Sequence, residues 1–271
     1  MIAIIAGTGN LPQRACSKLL EKNKPFFVIS LFPEDNSSEI KQIIPNNIEL
    51  FAKKFYKPSK IIKLIKSKKT TQVLFIGKVD KQNLLNKIKL DFLAIKLLAQ
   101  LSYKNDKDIM EILISYLKKE GLQVIKQSDI LGSLFIEPGV LTGTIDIKMR
   151  NDINFGMQKA TQLSQCDIGQ TVIIKDQMII AVEAIEGTNE CIKRGIQLGK
   201  KDLIICKTAH IKHNTKYDLP TLGLKTLHGI TKGQIQAIAW KSNKTFISSK
   251  ENFIRKAKEL NISLISVGDK L

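Results

Sequence analysis

Acidic residues, arginine, histidine and aromatics are all scarce in this 271-residue chain, and the shortages narrow what it can do. Aspartate and glutamate number 25 against 43 lysines and arginines, a formal net charge of +18. Arginine occurs only at Arg14, Arg150, Arg194 and Arg255, so the surplus is almost entirely lysine. Lysine is a poor tool for bidentate base readout, and with 6% aromatic residues there is no base-stacking surface either. A nucleic-acid reader is therefore not advertised. The histidines are His210, His213 and His228, which denies the N-terminal half a His-rich two-metal site. GxSxG and HExxH motifs are absent, as is the Walker lysine. Cys16, Cys166, Cys191 and Cys206 show no paired spacing of the kind zinc sites and redox dithiols use, and they read as reduced core thiols of a cytosolic protein. The N-terminus lacks the basic region and cleavage site of a signal peptide, and no apolar run nears the roughly eighteen residues of a membrane span.

What is present is ordinary globular composition, 43% hydrophobic and 25% charged, enough for one large domain or two small ones. The charge surplus invites an anionic partner, whether nucleic acid, a membrane surface or a phosphorylated substrate. Part of it reads instead as lysine bias on solvated faces.

Residues 2–6 form an unbroken apolar run ahead of Gly7, the mark of a strand buried in a parallel sheet. A helix from Pro12 to about Lys22 follows, with proline where a helix tolerates it best. Further strands are expected at 26–31 and 73–76, separated by a lysine-rich helix over 59–68. The alternation predicts an α/β domain with a parallel sheet. Helix is expected across 84–121, then a seam at Glu137 to Gly143, giving domains 1–137 and 138–271. The second half reads as a helix over 152–164, a hairpin of 171–174 with 179–183, and a helix over 189–198. A strand follows at 203–206, helix at 226–233, paired strands at 235–240 and 245–247, a helix at 250–260 and a last strand at 264–267.

Four stretches carry candidate chemistry. The turn Gly7, Thr8, Gly9, Asn10 between strand and helix is either a phosphate cradle or a tight structural turn. Pro12 stands where a dinucleotide fingerprint needs its third glycine. Asn105, Asp106, Lys107 and Asp108 open a helix, and capping is favoured there over metal binding. Glu183, Glu186, Gly187 and Thr188 close an apolar strand, with Glu183 paired, functional or an exposed edge residue. Finally, 210–224 is rich in polar groups: Asp218 suits orienting water or holding a divalent cation, and Lys207, Lys212 and Lys216 suit phosphate oxygens, against the alternative of a solvated loop.

Five segments taken in order resemble one family: IIAGTGNLP at the start, Ile76 to Val79, the Asp106 helix leading to Lys119–Glu120–Gly121, Cys166 to Arg194, and Tyr217 to His228. Together they are similar to the UDP-2,3-diacylglucosamine pyrophosphatases of the LpxI type across nearly the whole chain. The resemblance implies a Rossmann-like N-terminal domain and a second α/β domain with the ligand held between them. It implies hydrolysis of UDP-2,3-diacylglucosamine to UMP and 2,3-diacylglucosamine 1-phosphate in lipid A assembly, with Mg2+ or another divalent cation. Asp218 matches the essential aspartate of the DLPT-type motif and is a candidate metal ligand. Substrate contacts are expected at Gly7, Thr8, Gly9, Asn10, Lys78, Asp106, Glu183, Glu186, Gly187, Thr188, Lys207, Lys216 and Thr221. Departures are Lys107 where the family has a second aspartate, and His213 and Lys216 where it has glutamine and arginine.

The expected partners are the UDP-linked glycolipid and the anionic surface of the inner membrane, with the protein cytoplasmic and peripherally attached. A homodimer is admitted, and nucleic acid is not expected. Lys53, Lys54, Lys57, Lys60, Lys63, Lys66, Lys68 and Lys69 crowd a stretch without one acidic residue, suited to anionic headgroups. The isoleucines among them are read as core. Competing readings are a nucleotide-binding oxidoreductase on the N-terminal βαβ unit and a non-enzymatic basic protein binding membrane or nucleic acid.

Overall fold

The computed structural model describes residues 1–52, 57–78, 92–99, 106–209, 216 and 219–269. Lys53, Lys54, Val79, Asn105, His210, Lys212, His213, Tyr217 and Asp218 lie outside the described residues, as do the side chains of Asp106 and Lys107. The chain divides into two compact units, the second beginning at Ser133.

In the first unit, β1 (Ile2–Ala6) is buried at every position, as its apolar run dictates. It is flanked by parallel β2 (Phe26–Ser30) and β4 (Gln72–Ile76), with Ile4 level with Val28 on one side and Leu74 on the other. Short β3 (Leu50–Phe51) and β5 (Gln123–Val124) complete a five-stranded sheet of order β3-β2-β1-β4-β5. Every neighbouring pair is parallel. This is the doubly wound order, whose direction reverses between β1 and β4; ligands of such sheets gather at the carboxyl ends beside that reversal.

The crossover helices α1 (Leu11–Glu21), α2 (Pro33–Ile43) and α3 (Pro58–Ser67) each carry proline in the first turn, where its missing N–H leaves no bond unmade. Sequence periodicity alone missed α2, because its buried stripe consists of only Asn36 and Ile40. Helices α4 (Phe92–Leu98) and α5 (Asp106–Lys119) and a short α6 (Gln127–Leu131) follow. Ile62 and Ile65 of α3 pack with Ala3, Phe27 and Val73 in the core. Full burial of such a side chain contributes about 1.5–3 kcal/mol.

The second unit opens with a strand, β6 (Gly139–Thr142), where sequence periodicity had lapsed. Next, α7 (Ile147–Gln165) starts five residues before the expected Asp152 because Asp146 caps it, its carboxylate accepting from the Met149 N–H at 2.6 Å. The expected hairpin is present as β7 (Thr171–Lys175) and β8 (Met178–Val182). Its two-residue loop, Asp176–Gln177, has φ of 49° and 56°, the type I′ geometry that matches strand twist. After α8 (Thr188–Gly199) come β9 (Leu203–Lys207), β10 (Thr221–Leu222), β11 (Ile235–Lys241), β12 (Phe246–Ile247), α9 (Lys250–Glu259) and β13 (Ser263–Val267).

The main sheet of this unit runs β6-β13-β11-β9-β7-β8, and its central strands β9, β11 and β13 are parallel. One face packs against Ile153, Met157 and Ala160 of α7. Cys191 and Ile192 of α8 and Phe253 and Ala257 of α9 cover the other. Two expectations fail here. Residues 245–247 do not pair with 235–240, because β11 already has β9 and β13 on its two sides; β12 pairs instead with β10. The helix expected over 226–233 is a 3-10 turn, Leu224–Leu227, broken where Gly229 and Gly233 take φ of 77° and 87°.

Candidate functional site

At the carboxyl ends of β1 and β4, the turn 7–10 and the residues after β4 are zipped together by main-chain bonds. The Gly7 N–H donates to the Ile76 carbonyl at 2.8 Å and the Thr8 N–H to the Lys78 carbonyl at 2.7 Å, while Lys78 N–H returns a bond to Thr8 at 2.9 Å. A Cβ on Gly7 would collide with the Lys78 carbonyl, and one on Gly77 would lie 2.7 Å from the Thr8 carbonyl. Those glycines are required by close approach of two backbones. Buried Asn36 completes the arrangement, donating to the Gly7 carbonyl and accepting from Ser30 Oγ at 2.7 Å. Gly7, Thr8 and Lys78 are thus brought together, and the amides of Gly7 and Thr8 are already committed to protein carbonyls. Gly9, at φ 90°, has open space where a side chain would be, and Asn10 begins α1.

In the second unit a buried polar cluster gathers the end of β9, the start of β7, the end of β8 and the start of α8. Antiparallel pairing sets Thr171 of β7 level with Lys207 of β9. The Lys207 ammonium donates to Thr171 Oγ1 at 3.0 Å and to Thr188 Oγ1 at 2.8 Å, and lies 3.5 Å from Glu183 Oε2. Thr188 in turn donates to Glu183 Oε1 at 2.8 Å. Lys207 is 4% exposed. Burial pushes the Glu183 carboxyl up, but the Lys207 charge outweighs it together with hydrogen bonds from Thr171, Thr188 and the Gln170 backbone, leaving the group below its ordinary value. Gly169 lets its loop pass directly against the Glu183 carbonyl, a place no Cβ can occupy. Nearby Cys191 is pushed up to about 12, chiefly by burial and further by Glu183, so it is no nucleophile.

Three sequence candidates, Glu183, Thr188 and Lys207, therefore meet in one network. Glu186 instead holds Arg194 at 2.5 Å, and that hydrogen bond chiefly keeps its carboxyl below the ordinary value. Arg194 also donates to the Val182 carbonyl at 2.8 Å. Gly187, at φ 81°, is the N-cap of α8 with open space beside its Cα. Thr221 lies in β10, its hydroxyl 3.4 Å from the Leu219 carbonyl; Lys216 is half-buried, and Asp106 opens α5. Sequence reading missed Thr171, Asn36 and Arg194 as members of these networks. Rarity was the available signal for Arg194, one of four arginines in a lysine-rich chain.

Among the described residues no three side chains of His, Cys, Asp and Glu stand together as a metal group. Glu183 and Glu186 do not fit a cation, since each is already neutralised by a lysine or an arginine. No helix among the described residues is long and apolar enough to cross a membrane.

Comparison with known proteins covers both units. A family model described as the LpxI N-terminal domain matches residues 1–134, and one described as the LpxI C-terminal domain matches residues 137–265. A relative from Caulobacter vibrioides, the UDP-2,3-diacylglucosamine pyrophosphatase LpxI, is 24% identical over 280 residues, covering 98% of this chain and 97% of that protein.

Proposed function

Since the chain belongs to the LpxI family, we propose that it hydrolyses the pyrophosphate of UDP-2,3-diacylglucosamine, releasing UMP and 2,3-diacylglucosamine 1-phosphate in lipid A biosynthesis. The carrying observation is the pair of family matches, in order and almost end to end. In the reaction one P–O bond of the anhydride breaks, water supplies a hydroxyl to one phosphorus, and its protons pass to the two phosphate products. Such a step needs an oriented water, cations facing the phosphate oxygens and a stabilised leaving group.

Asp218, the aspartate of the DLPT-type motif, is assigned the orienting or proton-accepting role. The segment that follows it is firmly held: Leu219 is buried, and the Phe246 N–H donates to the Pro220 carbonyl at 2.8 Å. Phosphate oxygens are assigned to the start of α8 at Thr188, the Gly187 N–H being bonded to the Ala184 carbonyl at 3.3 Å. Asp218 would hold Mg2+ or a similar divalent cation, which would supply further charge neutralisation when bound.

Attachment to an anionic membrane is assigned to α3 and to Lys69 just beyond it. Its isoleucines are occupied in the core, so the contact is electrostatic, made by exposed Lys60, Lys63 and Lys69; Lys66 and Lys68 are engaged by Glu120 and Glu49. Homodimer formation rests on no contact described above. The test is to incubate the purified chain with UDP-2,3-diacylglucosamine and magnesium. Release of UMP, lost in Asp218→Ala, is the expected result; no UMP from the unaltered chain overturns the reading.

A further inference from the structure

We propose that Lys207 is a positioning residue, forming with Glu183 and Thr188 an internal lock on the carboxyl end of β9 instead of contacting substrate phosphate. The functional side of this inference rests on the hydrolase reading above. An ammonium has three N–H donors. Two of these go to Thr171 Oγ1 and Thr188 Oγ1, at 3.0 and 2.8 Å, and Glu183 Oε2 lies 3.5 Å from the ammonium as its counter-charge. With the side chain 5% exposed, it has almost no surface to offer an incoming anion.

The connections explain what such a charge is for. Thr188 accepts from Lys207 and donates to Glu183, so its hydroxyl has one fixed orientation. Four elements meet at this point, β7, β8, β9 and α8, and the first turn of α8 is tied to the end of β9 through these side chains. Beyond Lys207 the Thr208 N–H bonds the Gln170 carbonyl at 2.9 Å, and the chain then runs on towards Asp218. On the far side it returns in β10, where the Phe246 and Ser248 amides donate to the Pro220 and Leu222 carbonyls, each at 2.8 Å. The Asp218 segment is therefore flanked on one side by β10 and on the other by the end of β9, where strand pairing and the buried charge network coincide.

The alternatives separate because of how buried ion pairs behave. Removing one partner strands the other charge, whereas removing both is often tolerated. A lysine that holds phosphate gains nothing from a second change at Glu183; a lysine that only neutralises Glu183 does. The experiment compares Lys207→Met, Glu183→Gln and the double variant by thermal unfolding and by initial rates of UMP release over a range of substrate concentrations. Lys207→Met is expected to lower kcat by about tenfold or more with KM within about twofold. The double variant recovers both melting temperature and at least about fivefold in kcat. A double variant no better than Lys207→Met, or a raised KM with unchanged kcat, overturns the proposal. Should Lys207→Met fail to fold, Thr188→Val carries the test: a fall in kcat, with Thr188→Ser restoring it, supports the lock, and a change confined to KM overturns it. Absence of UMP release by the unaltered chain defeats the hydrolase reading instead. Melting temperatures then decide the lock alone, and a double variant no more stable than Lys207→Met rejects it.

Discussion

The hydroxyl of Thr188 accepts a hydrogen bond from the ammonium of Lys207 at 2.8 Å and donates one to Glu183 at 2.8 Å, so a single small side chain joins two buried charges. A neutral bridge between opposite charges in a dry site makes the whole group sensitive to acid, because protonating Glu183 removes the charge that Lys207 was placed to meet.

The Glu183 carboxyl sits below its ordinary value of 4.5 in the folded chain. At pH values between its folded and unfolded values, the unfolded state therefore binds more protons than the folded state. The stabilisation is complete above the unfolded value and is lost as pH falls through the folded one. Urea unfolding followed from about pH 6 to pH 3 is expected to show falling stability, with a shallower fall in Glu183→Gln.

Asn36→Ala leaves the Ser30 hydroxyl and the Gly7 carbonyl without their buried partner. A loss of about 1–3 kcal/mol in chemical denaturation is expected, the cost of stranding buried polar groups. Asn36→Asp is expected to be no better, since a carboxylate cannot donate to the Gly7 carbonyl.

Lys60→Gln, Lys63→Gln and Lys69→Gln combined are expected to weaken binding to anionic vesicles by about a hundredfold, at roughly 1 kcal/mol for each charge near the surface. Melting temperature stays unchanged, since all three are exposed. Ile65→Ala in the same helix does the opposite: vesicle binding by the folded protein is kept while stability drops by about 2–5 kcal/mol, because Ile65 is fully buried.

Removal of divalent cations by a chelator is expected to stop UMP release, and added magnesium to restore it. Unfolding temperature stays constant through the cycle, because the folded cores contain no metal group among the described residues.

Much of this was legible in the residues. Unbroken apolar runs disclosed β1 and β2, since strands covered on both faces have no polar alternation to confuse with other structure. Proline marked the start of α1. The hairpin was visible from Lys175, Asp176 and Gln177, because its turn type demands residues that tolerate positive φ. Pairing was less legible than strand existence. Phe246 and Ile247 form a strand as expected, but which neighbour they take depends on both sides of β11 being occupied, a fact no local window contains. The same holds at the candidate site. Glu183 and Thr188 were noticed in one stretch and Lys207 in another, yet Thr171 stood at the head of an apolar run, and only sheet register sets it opposite Lys207.

The main-chain zipper between Thr8 and Lys78 carries a consequence for divergence. Its paired bonds use peptide groups, and Thr8 Oγ1 adds only a long 3.3 Å bond to the Lys78 carbonyl, so the side chains at those two positions can drift in sequence while the closure persists. Gly7 and Gly77 have no such liberty, for each faces a carbonyl where any Cβ would intrude. Chemistry borne by the side chains of Thr8 and Lys78 is accordingly evolvable by single substitutions without loosening the sheet. A new ligand wanting the Gly7 and Thr8 amides would first have to unmake the join, which calls for a rebuilt loop instead of a point mutation.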